Sequence, residues 1–180
     1  WVIALQQYNI LDSHDTQRVL AELNGNAALQ KLAVVFQFCL PGVAGLYYGD
    51  EIGLKNDPAL GPRACMNWDE SKWDHDLFDF YQKIIYTRKT NPALIEGGFQ
   101  ILGFEEDFLV FLRETKDMKV IVALQRNQDT RPTKSFSVTK AGIDDGATFK
   151  EVFCGRVAEI KDGEIGFPEL VQGGSIWILE

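Results

Sequence analysis

The chain has 180 residues, enough for one large or two small domains, and 46% of them are hydrophobic. This composition is typical of a folded protein and excludes an intrinsically disordered one. The formal net charge of −8 opposes binding to nucleic acids and to anionic membrane surfaces. The three cysteines, Cys39, Cys65 and Cys154, are unevenly spaced without a C-x-x-C pair. That pattern disfavours a disulfide framework or a structural zinc site and favours a reducing, cytoplasmic compartment.

The chain begins at Trp1, inside an apolar stretch and without a methionine. We therefore expect a fragment of a longer protein, and secretion of that protein stays open because a signal peptide would lie upstream. The longest apolar run, residues 32–48, is interrupted by Pro41 and Gly42. It predicts a buried helix followed by a buried strand, and no membrane insertion is expected.

The first half of the chain alternates strand and helix patterns. Residues 8–11 predict a short strand, and a polar cluster then precedes a short helix that ends near Asn24. Apolar residues three and four apart predict a buried helix between Asn26 and Pro41. The continuous apolar run at 43–48 predicts a strand covered on both faces. Strand, helix and strand form a βαβ unit, so the two strands should be parallel.

The second half of the chain predicts a different fold class. A long loop at 52–76, of a kind that is often functional, precedes a helix predicted at 76–90. The hydrophobic period then changes to two, which predicts an antiparallel β-sandwich. Its strands are predicted at 108–113, 119–125, 135–138, 149–153 and 175–179, with a hairpin turn at Asp162-Gly163. We place a domain boundary between residues 97 and 98, so the predicted domains are 1–97 and 98–180.

Polar side chains follow the first predicted strand, where His14 and Asp15 precede a helix. In parallel α/β proteins, ligand sites lie at the carboxyl ends of the strands. An aspartate before a helix is often only a cap, however, and a single histidine is often a packing residue. The spacing alone leaves both interpretations open.

Four segments in order carry a family resemblance. Asn9–Arg18 resembles a strand-seven motif N-x-x-x-x-H-D-x-x-R, and Pro41–Gly53 resembles a strand-eight motif P-G-x-P-x-x-Y-Y-G-D-E-x-G with Ala44 at the second proline. Residues 57–68 resemble the D-P-x-x-R-x-x-M-x-W loop that follows, lengthened by two residues, and 91–94 resemble the end of the last barrel helix. Together they resemble the α-amylase superfamily, glycoside hydrolase family thirteen, in its neopullulanase, cyclomaltodextrinase and maltogenic amylase branch.

The resemblance implies an α/β fold followed by an all-β fold: the last two βα units of a (β/α)8 barrel plus a C-terminal antiparallel β-sandwich domain. It implies a retaining hydrolase of α-1,4 and also α-1,6 glucosidic bonds in maltodextrins, cyclodextrins, pullulan or starch. The family's nucleophile and acid/base come from strands four and five, upstream of Trp1, so the chain alone should be inactive. The alternative is a non-catalytic carbohydrate-binding or structural unit based on residues 98–180.

The resemblance also implies roles for single residues. Asp15 matches the third catalytic carboxylate, which would stabilise the transition state through hydrogen bonds to ring hydroxyls. His14 would donate a hydrogen bond to the same sugar. Asp57 and Arg63 are candidate contacts to a more distant glucose unit. Trp68 is a candidate to stack on an apolar sugar face.

Other residues are predicted to be structural. Arg18 and Glu51 are expected to form ion pairs or hydrogen bonds, and His75 is expected to begin a helix. Tyr47 and Tyr48 are expected to pack rather than bind sugar. We predict no metal site and no cofactor in this chain, although the resemblance allows calcium in a full-length parent. The expected partner is an α-glucan oligosaccharide, and a homo-oligomer is a further expectation.

Overall fold

A computed structural model of the chain describes residues 1–127, 134–167 and 172–180. Its helices are α1 (Val2–Leu5), α2 (Val19–Glu22), α3 (Ala27–Cys39), α4 (His75–Thr90) and α5 (Pro92–Ile95). Its strands are β1 (Tyr8–Asn9), β2 (Val43–Ala44), β3 (Gly98–Glu105), β4 (Phe108–Glu114), β5 (Lys119–Gln125), β6 (Lys134–Ser137), β7 (Thr148–Glu151), β8 (Val157–Lys161), β9 (Glu164–Phe167) and β10 (Gly173–Leu179). Short 3-10 turns occur at Asp50–Ile52, Glu70–Lys72 and Thr139–Ala141.

The strands β1 and β2 are parallel neighbours, as predicted, with Tyr8 opposite Val43 and Asn9 opposite Ala44. They are shorter than the predicted runs 8–11 and 43–48. The helix between them is bonded to both, because the Gln37 amide donates to the carbonyls of Asn9 (2.9 Å) and Gly45 (2.7 Å). The pair therefore forms the expected βαβ unit, with both strand ends held against α3.

The two long helices lie close to their predicted positions because each begins at a capping side chain. The Asn26 side chain accepts from the Leu29 N–H at the start of α3, and Asp74 accepts from the Leu77 N–H at the start of α4. The short helix predicted up to Asn24 is observed only as α2, because residues 13–16 form a turn. Within the described parts of the chain, no helix is both long and apolar enough to cross a membrane.

The second half of the chain forms one antiparallel sheet of eight strands in the order β3-β4-β5-β10-β7-β8-β9-β6. The predicted antiparallel strands are therefore present, but both layers of the expected sandwich come from a single sheet that folds over. Its two edges approach each other, since Gly103 of β3 lies directly against the ring of Phe136 in β6. The hairpin turn at Asp162-Gly163 is observed, and both residues have the positive φ that such a turn requires.

The sheet has an apolar core on each face. One core lies within the folded sheet and contains Val110, Leu112 and Trp177. The other joins the sheet to the helices, packing residues of β4, β5 and β10 against residues of α3, α4 and α5. Successive side chains of one strand point to opposite faces of the sheet, so alternate residues pack into the two cores. The domain boundary at 97–98 stays a prediction, and the segments on its two sides share this second core.

Candidate active site

The segment between β1 and α2 presents His14 and Asp15 at the protein surface. Its turn is built by small polar groups: the Ser13 N–H donates to Thr16 Oγ1 (2.9 Å), and the Asp15 N–H donates to Ser13 Oγ (3.2 Å). The Thr16 N–H donates to the Ser13 carbonyl (3.3 Å). The Asp15 side chain is 70% exposed. It is therefore available to a ligand rather than used in packing.

Two side chains that the sequence placed in the same site lie against the Asp15 carboxylate. Its Oδ1 accepts from Arg63 Nη2 (3.0 Å), and its Oδ2 lies 3.2 Å from His14 Nε2. Arg63 lies 48 residues further along the chain. Exposed pairs of this kind add little to stability, so these donors and acceptors can exchange their partners for ligand hydroxyls without a large penalty.

Asp57 shapes the loop that carries Arg63. Its Oδ1 accepts from the N–H groups of Ala59 and Leu60, each at 2.8 Å. These two bonds lower the pKa of the Asp57 carboxyl, with the bond from Leu60 having the larger effect. The backbone groups of Asp57 and Gly61 also pair with each other. Asp57 thus closes a tight turn, and a contact to sugar stays a prediction.

A groove of about 480 Å³ brings four of the five predicted site residues together: His14, Asp15, Asp57 and Arg63. Asn56 joins its two walls, because its side chain accepts from the Arg18 N–H (3.2 Å) and donates to the Gln17 side chain (2.9 Å). Trp68 lies outside the groove lining and is 80% exposed. The structure therefore does not bring Trp68 to this groove, and its stacking role stays a prediction.

A buried charged group that the sequence did not reveal as a unit is joined to the groove by the hydrogen bond from the Arg18 N–H to Asn56. Arg18 is fully buried, and its Nη1 donates to the Tyr48 carbonyl and to Asp50 Oδ1 (3.1 Å). Its guanidinium lies 4.2 Å and 4.7 Å from the ring centroids of Tyr47 and Tyr48. Arg18 is thus the structural ion-pair residue that we expected. Glu51 is also structural, since its carboxylate accepts from the Gly49 N–H (2.8 Å).

Asp12 and Asp50 are the residues that sequence reasoning missed. Asp12 is 5% exposed, and its Oδ2 accepts from the Val19 N–H (2.7 Å) at the start of α2. Asp50 is 4% exposed, and its pKa is raised from 3.8 by burial and by the neighbouring Asp12, against the opposing effect of Arg18. The sequence signal was the position of each carboxylate at the end of an apolar run, with Asp12 directly after Leu11 and Asp50 separated from Tyr48 by Gly49.

The side chains of Tyr47, Tyr48 and Trp73 are engaged with protein groups. The hydroxyls of Tyr47 and Tyr48 donate to the carbonyls of Pro62 (3.5 Å) and Ala64 (2.8 Å), which supports the expected packing role. Trp73 donates to the Asn67 carbonyl (2.7 Å). His75 is the first residue of α4, as predicted. In the described ranges, no three or more His, Cys, Asp or Glu side chains are grouped to hold a metal ion.

Comparison with known proteins relates the first part of the chain to a known catalytic domain. The family model of the α-amylase catalytic domain matches residues 3–76, which include the whole groove. A cyclomaltodextrinase from Bacillus sp. is 39% identical over 143 residues, covering 78% of this chain and 26% of that protein. Neopullulanase 2 from Thermoactinomyces vulgaris is 32% identical over 173 residues, covering 94% of this chain and 29% of that protein.

A solved structure of a cyclomaltodextrinase superimposes with a TM-score of 0.87 at 32% identity, covering 98% of this chain and 30% of that one. The chain thus spans little more than a quarter of the length of the curated relatives that it matches. The similarity runs through both halves of the chain, the helices and the eight-stranded sheet. The chain belongs to the α-amylase superfamily and resembles its cyclomaltodextrinase, neopullulanase and maltogenic amylase branch.

Proposed function

We propose that this chain is the C-terminal part of a retaining α-glucan hydrolase that cleaves α-1,4 bonds, and also α-1,6 bonds, in maltodextrins, cyclodextrins, pullulan or starch. The observation that carries the proposal is the groove in which Asp15, His14 and Arg63 meet at the end of a parallel strand. The names of the relatives, cyclomaltodextrinase and neopullulanase, support the substrate class.

The proposed role of Asp15 follows from its charge and exposure. A carboxylate can accept hydrogen bonds from two adjacent hydroxyls of one sugar ring. Those bonds strengthen as positive charge develops on the ring in an oxocarbenium-like transition state. His14 and Arg63 orient the carboxylate before the sugar binds, which limits the reorganisation needed in the reaction. Asp15 therefore acts as the transition-state stabiliser, and His14, Asp57 and Arg63 bind the substrate.

We propose that β1 and β2 are the seventh and eighth strands of a (β/α)8 barrel, with 1–97 as its last part and 98–180 as a C-terminal β-domain. The parallel pairing of β1 and β2 across α3 supports this assignment. Apolar side chains near both strands are exposed, which supports a covering surface from the rest of the protein or from a second copy: Trp1, Val2, Ile3, Tyr8, Ile10, Val43 and Leu46. A homo-oligomer is thus part of the proposal.

The proposal extends to the compartment and the cofactors. All three cysteines are free thiols, which supports a cytoplasmic location, because such thiols persist in reducing compartments. The reaction needs no cofactor, since two carboxylates and water suffice for glycoside hydrolysis.

The test of this function is a kinetic comparison in the full-length protein that contains this chain. Asp15→Asn should lower kcat on maltodextrin by about a hundredfold or more, because it removes a negative charge that stabilises the transition state. Asp57→Asn should act mainly on KM. Asp69→Asn, an exposed aspartate that caps a 3-10 turn outside the groove, is the matched control and should leave both constants within about twofold. A folded Asp15→Asn enzyme that keeps more than about a tenth of the wild-type kcat would refute the proposed role.

A second measurement concerns the 180-residue chain alone. The proposal places the nucleophile and the acid/base on other strands, so the purified chain should release no reducing sugar from maltodextrin, cyclodextrin or pullulan. Turnover by the pure chain that Asp15→Ala abolishes would contradict the proposed division of catalytic residues.

A further inference from the structure

The loop that forms one wall of the groove has an exposed apolar tip, defined as Pro58, Ala59 and Leu60. The two residues that flank the tip, Asp57 and Gly61, both line the groove. Leu60 is 52% exposed, although leucine is among the residues most often found in protein cores. Isolated exposed apolar residues are common on protein surfaces. Leu60 differs from those in its place, directly beside a groove lined mainly by polar side chains.

The backbone of the apolar tip is fixed by hydrogen bonds within the loop. The Asp57 carboxylate accepts from the N–H groups of Ala59 and Leu60, each at 2.8 Å. The backbone groups of Asp57 and Gly61 exchange two hydrogen bonds, of 2.8 and 2.9 Å. The proline of the tip has a fixed φ and no N–H to satisfy. The tip can therefore contact a ligand without a large loss of conformational entropy.

The same loop is joined to Asp15. The Leu60 carbonyl accepts from the Arg63 N–H (3.2 Å), and Arg63 Nη2 donates to Asp15 Oδ1 (3.0 Å). The Ala64 carbonyl accepts from the Tyr48 hydroxyl (2.8 Å), which holds the loop against the chain that leaves β2. The Cα atoms of Leu60 and Arg63 are three residues apart and therefore at most about 11 Å from each other. An oligosaccharide of a few glucose units is long enough to contact both Asp15 and the tip.

We infer that Leu60 binds the apolar face of a glucose unit beyond the unit at Asp15, and that this contact makes the enzyme prefer longer glucans. The C–H groups on one face of a pyranose ring and the Leu60 side chain would both leave water when they meet. The groove supplies polar groups for the hydroxyls at the ring edge. The loop is two residues longer than the D-P-x-x-R motif that it resembles, and the tip lies within this longer stretch. The inference rests on the proposed function, because its ligand is an α-glucan.

The first experiment measures hydrolysis of the series from maltotriose to maltoheptaose by the full-length protein that contains this chain. The contact lies away from the bond that is cleaved. Leu60→Ser should therefore raise KM for the longer substrates by about fivefold or more and leave kcat within about twofold. The shortest substrates do not reach the tip, so their KM should not change. A KM that stays at the wild-type value for every length, or rises equally for every length, would overturn the inference.

Val157→Ser is the matched control in this series. Val157 is also 52% exposed, and it lies on β8, outside the groove lining. The substitution removes a similar apolar side chain from the surface, so it should leave KM within about twofold for every substrate. A length-dependent rise in KM in both variants would show a general effect of exposed apolar residues, and the inference about Leu60 would then be wrong.

A third variant separates sugar binding from a structural role. Leu60→Phe enlarges the apolar surface and should lower KM for the longest substrates by about twofold or more, opposite to Leu60→Ser. Neither substitution should change the urea midpoint of the full-length protein. If the rest of the protein covers Leu60 instead, Leu60→Ser should lower that midpoint and Leu60→Phe should not improve KM. That combination would refute the contact with sugar.

These results are separable from a test of the proposed function. If Asp15→Asn abolishes hydrolysis and Leu60→Ser leaves KM unchanged for every substrate length, the inference alone fails. If Leu60→Ser raises KM only for longer substrates and Asp15→Asn keeps the wild-type kcat, the proposed role of Asp15 alone fails.

Discussion

The joint between the helices and the eight-stranded sheet depends on Arg113, and replacing this residue with methionine tests that dependence. Arg113 is fully buried on β4. Its guanidinium donates to four backbone carbonyls, those of Cys39 (2.6 Å), Gly97 (2.9 Å), Gly98 (3.0 Å) and Leu94 (3.2 Å). One side chain therefore joins the end of α3, the end of α5 and the start of β3.

Arg113→Met keeps an unbranched apolar stem and removes every donor. A hydrogen bond to a charged group contributes about 1.5–3 kcal/mol, and each carbonyl left buried without a partner costs about 1–3 kcal/mol. The substitution also removes a buried cation, which offsets part of this loss. Burial, and secondarily the charge of the nearby Arg88, lowers the pKa of Arg113 to about 10. We expect a net loss of about 3–5 kcal/mol in the free energy of unfolding.

The assay is urea unfolding of the 180-residue chain followed by tryptophan fluorescence and circular dichroism. Arg113→Lys should give an intermediate loss, because a single ammonium cannot reach carbonyls spread across four residues. Arg126→Met is the matched control: its side chain is 69% exposed and pairs with Asp107, so its loss should stay below about 1 kcal/mol. A loss below about 1 kcal/mol for Arg113→Met would refute the view that this residue joins the two parts.

Three further predictions concern packing, thiol reactivity and association. A Cβ at Gly174 would lie 2.6 Å from Val35, so Gly174→Ala should destabilise the chain by about 1–3 kcal/mol in urea unfolding. Gly98→Ala, whose Cβ would meet only ordinary contacts, is the control, and equal losses would contradict the assumed packing of α3 on β10. Burial raises the pKa of the Cys39 thiol to about 12, so a thiol reagent should modify the native chain only at the exposed cysteines, Cys65 and Cys154. Light scattering should show self-association of the isolated chain through the exposed apolar surface beside β1 and β2, and a monodisperse monomer would count against it.

Sequence reasoning located the elements whose signals are local. The helices α3 and α4 were predicted within two residues at each end, because their apolar spacing and their capping side chains, Asn26 and Asp74, all lie within a few residues of one another. The strand β3 was missed because a bulge between Ile101 and Gly103 breaks its period of two. The single folded sheet was missed for a different reason: strand order depends on long-range pairing.

The candidate site shows the same difference between local signals and long-range packing. His14, Asp15 and Arg63 could be named from spacing and family resemblance, and the structure then placed Arg63 on the Asp15 carboxylate. The same resemblance included Trp68, which the structure leaves outside the groove. A loop residue is positioned by the turns around it, and the longer loop between Asp57 and Arg63 is closed by hydrogen bonds within that loop. Local sequence therefore named residues that line the groove, but it did not predict how these residues lie relative to one another.

By itself, the sequence determined the family resemblance, the positions of the two long helices and the identity of the exposed carboxylate that follows β1, because these depend on residue types at short spacing. The tertiary structure alone decided that Arg18 and Asp50, which lie 32 residues apart, form a buried ion pair, and that Asp12 is buried as well. Burial and charge pairing arise when distant segments pack, and the low polarity of the interior then makes the balance of those charges matter.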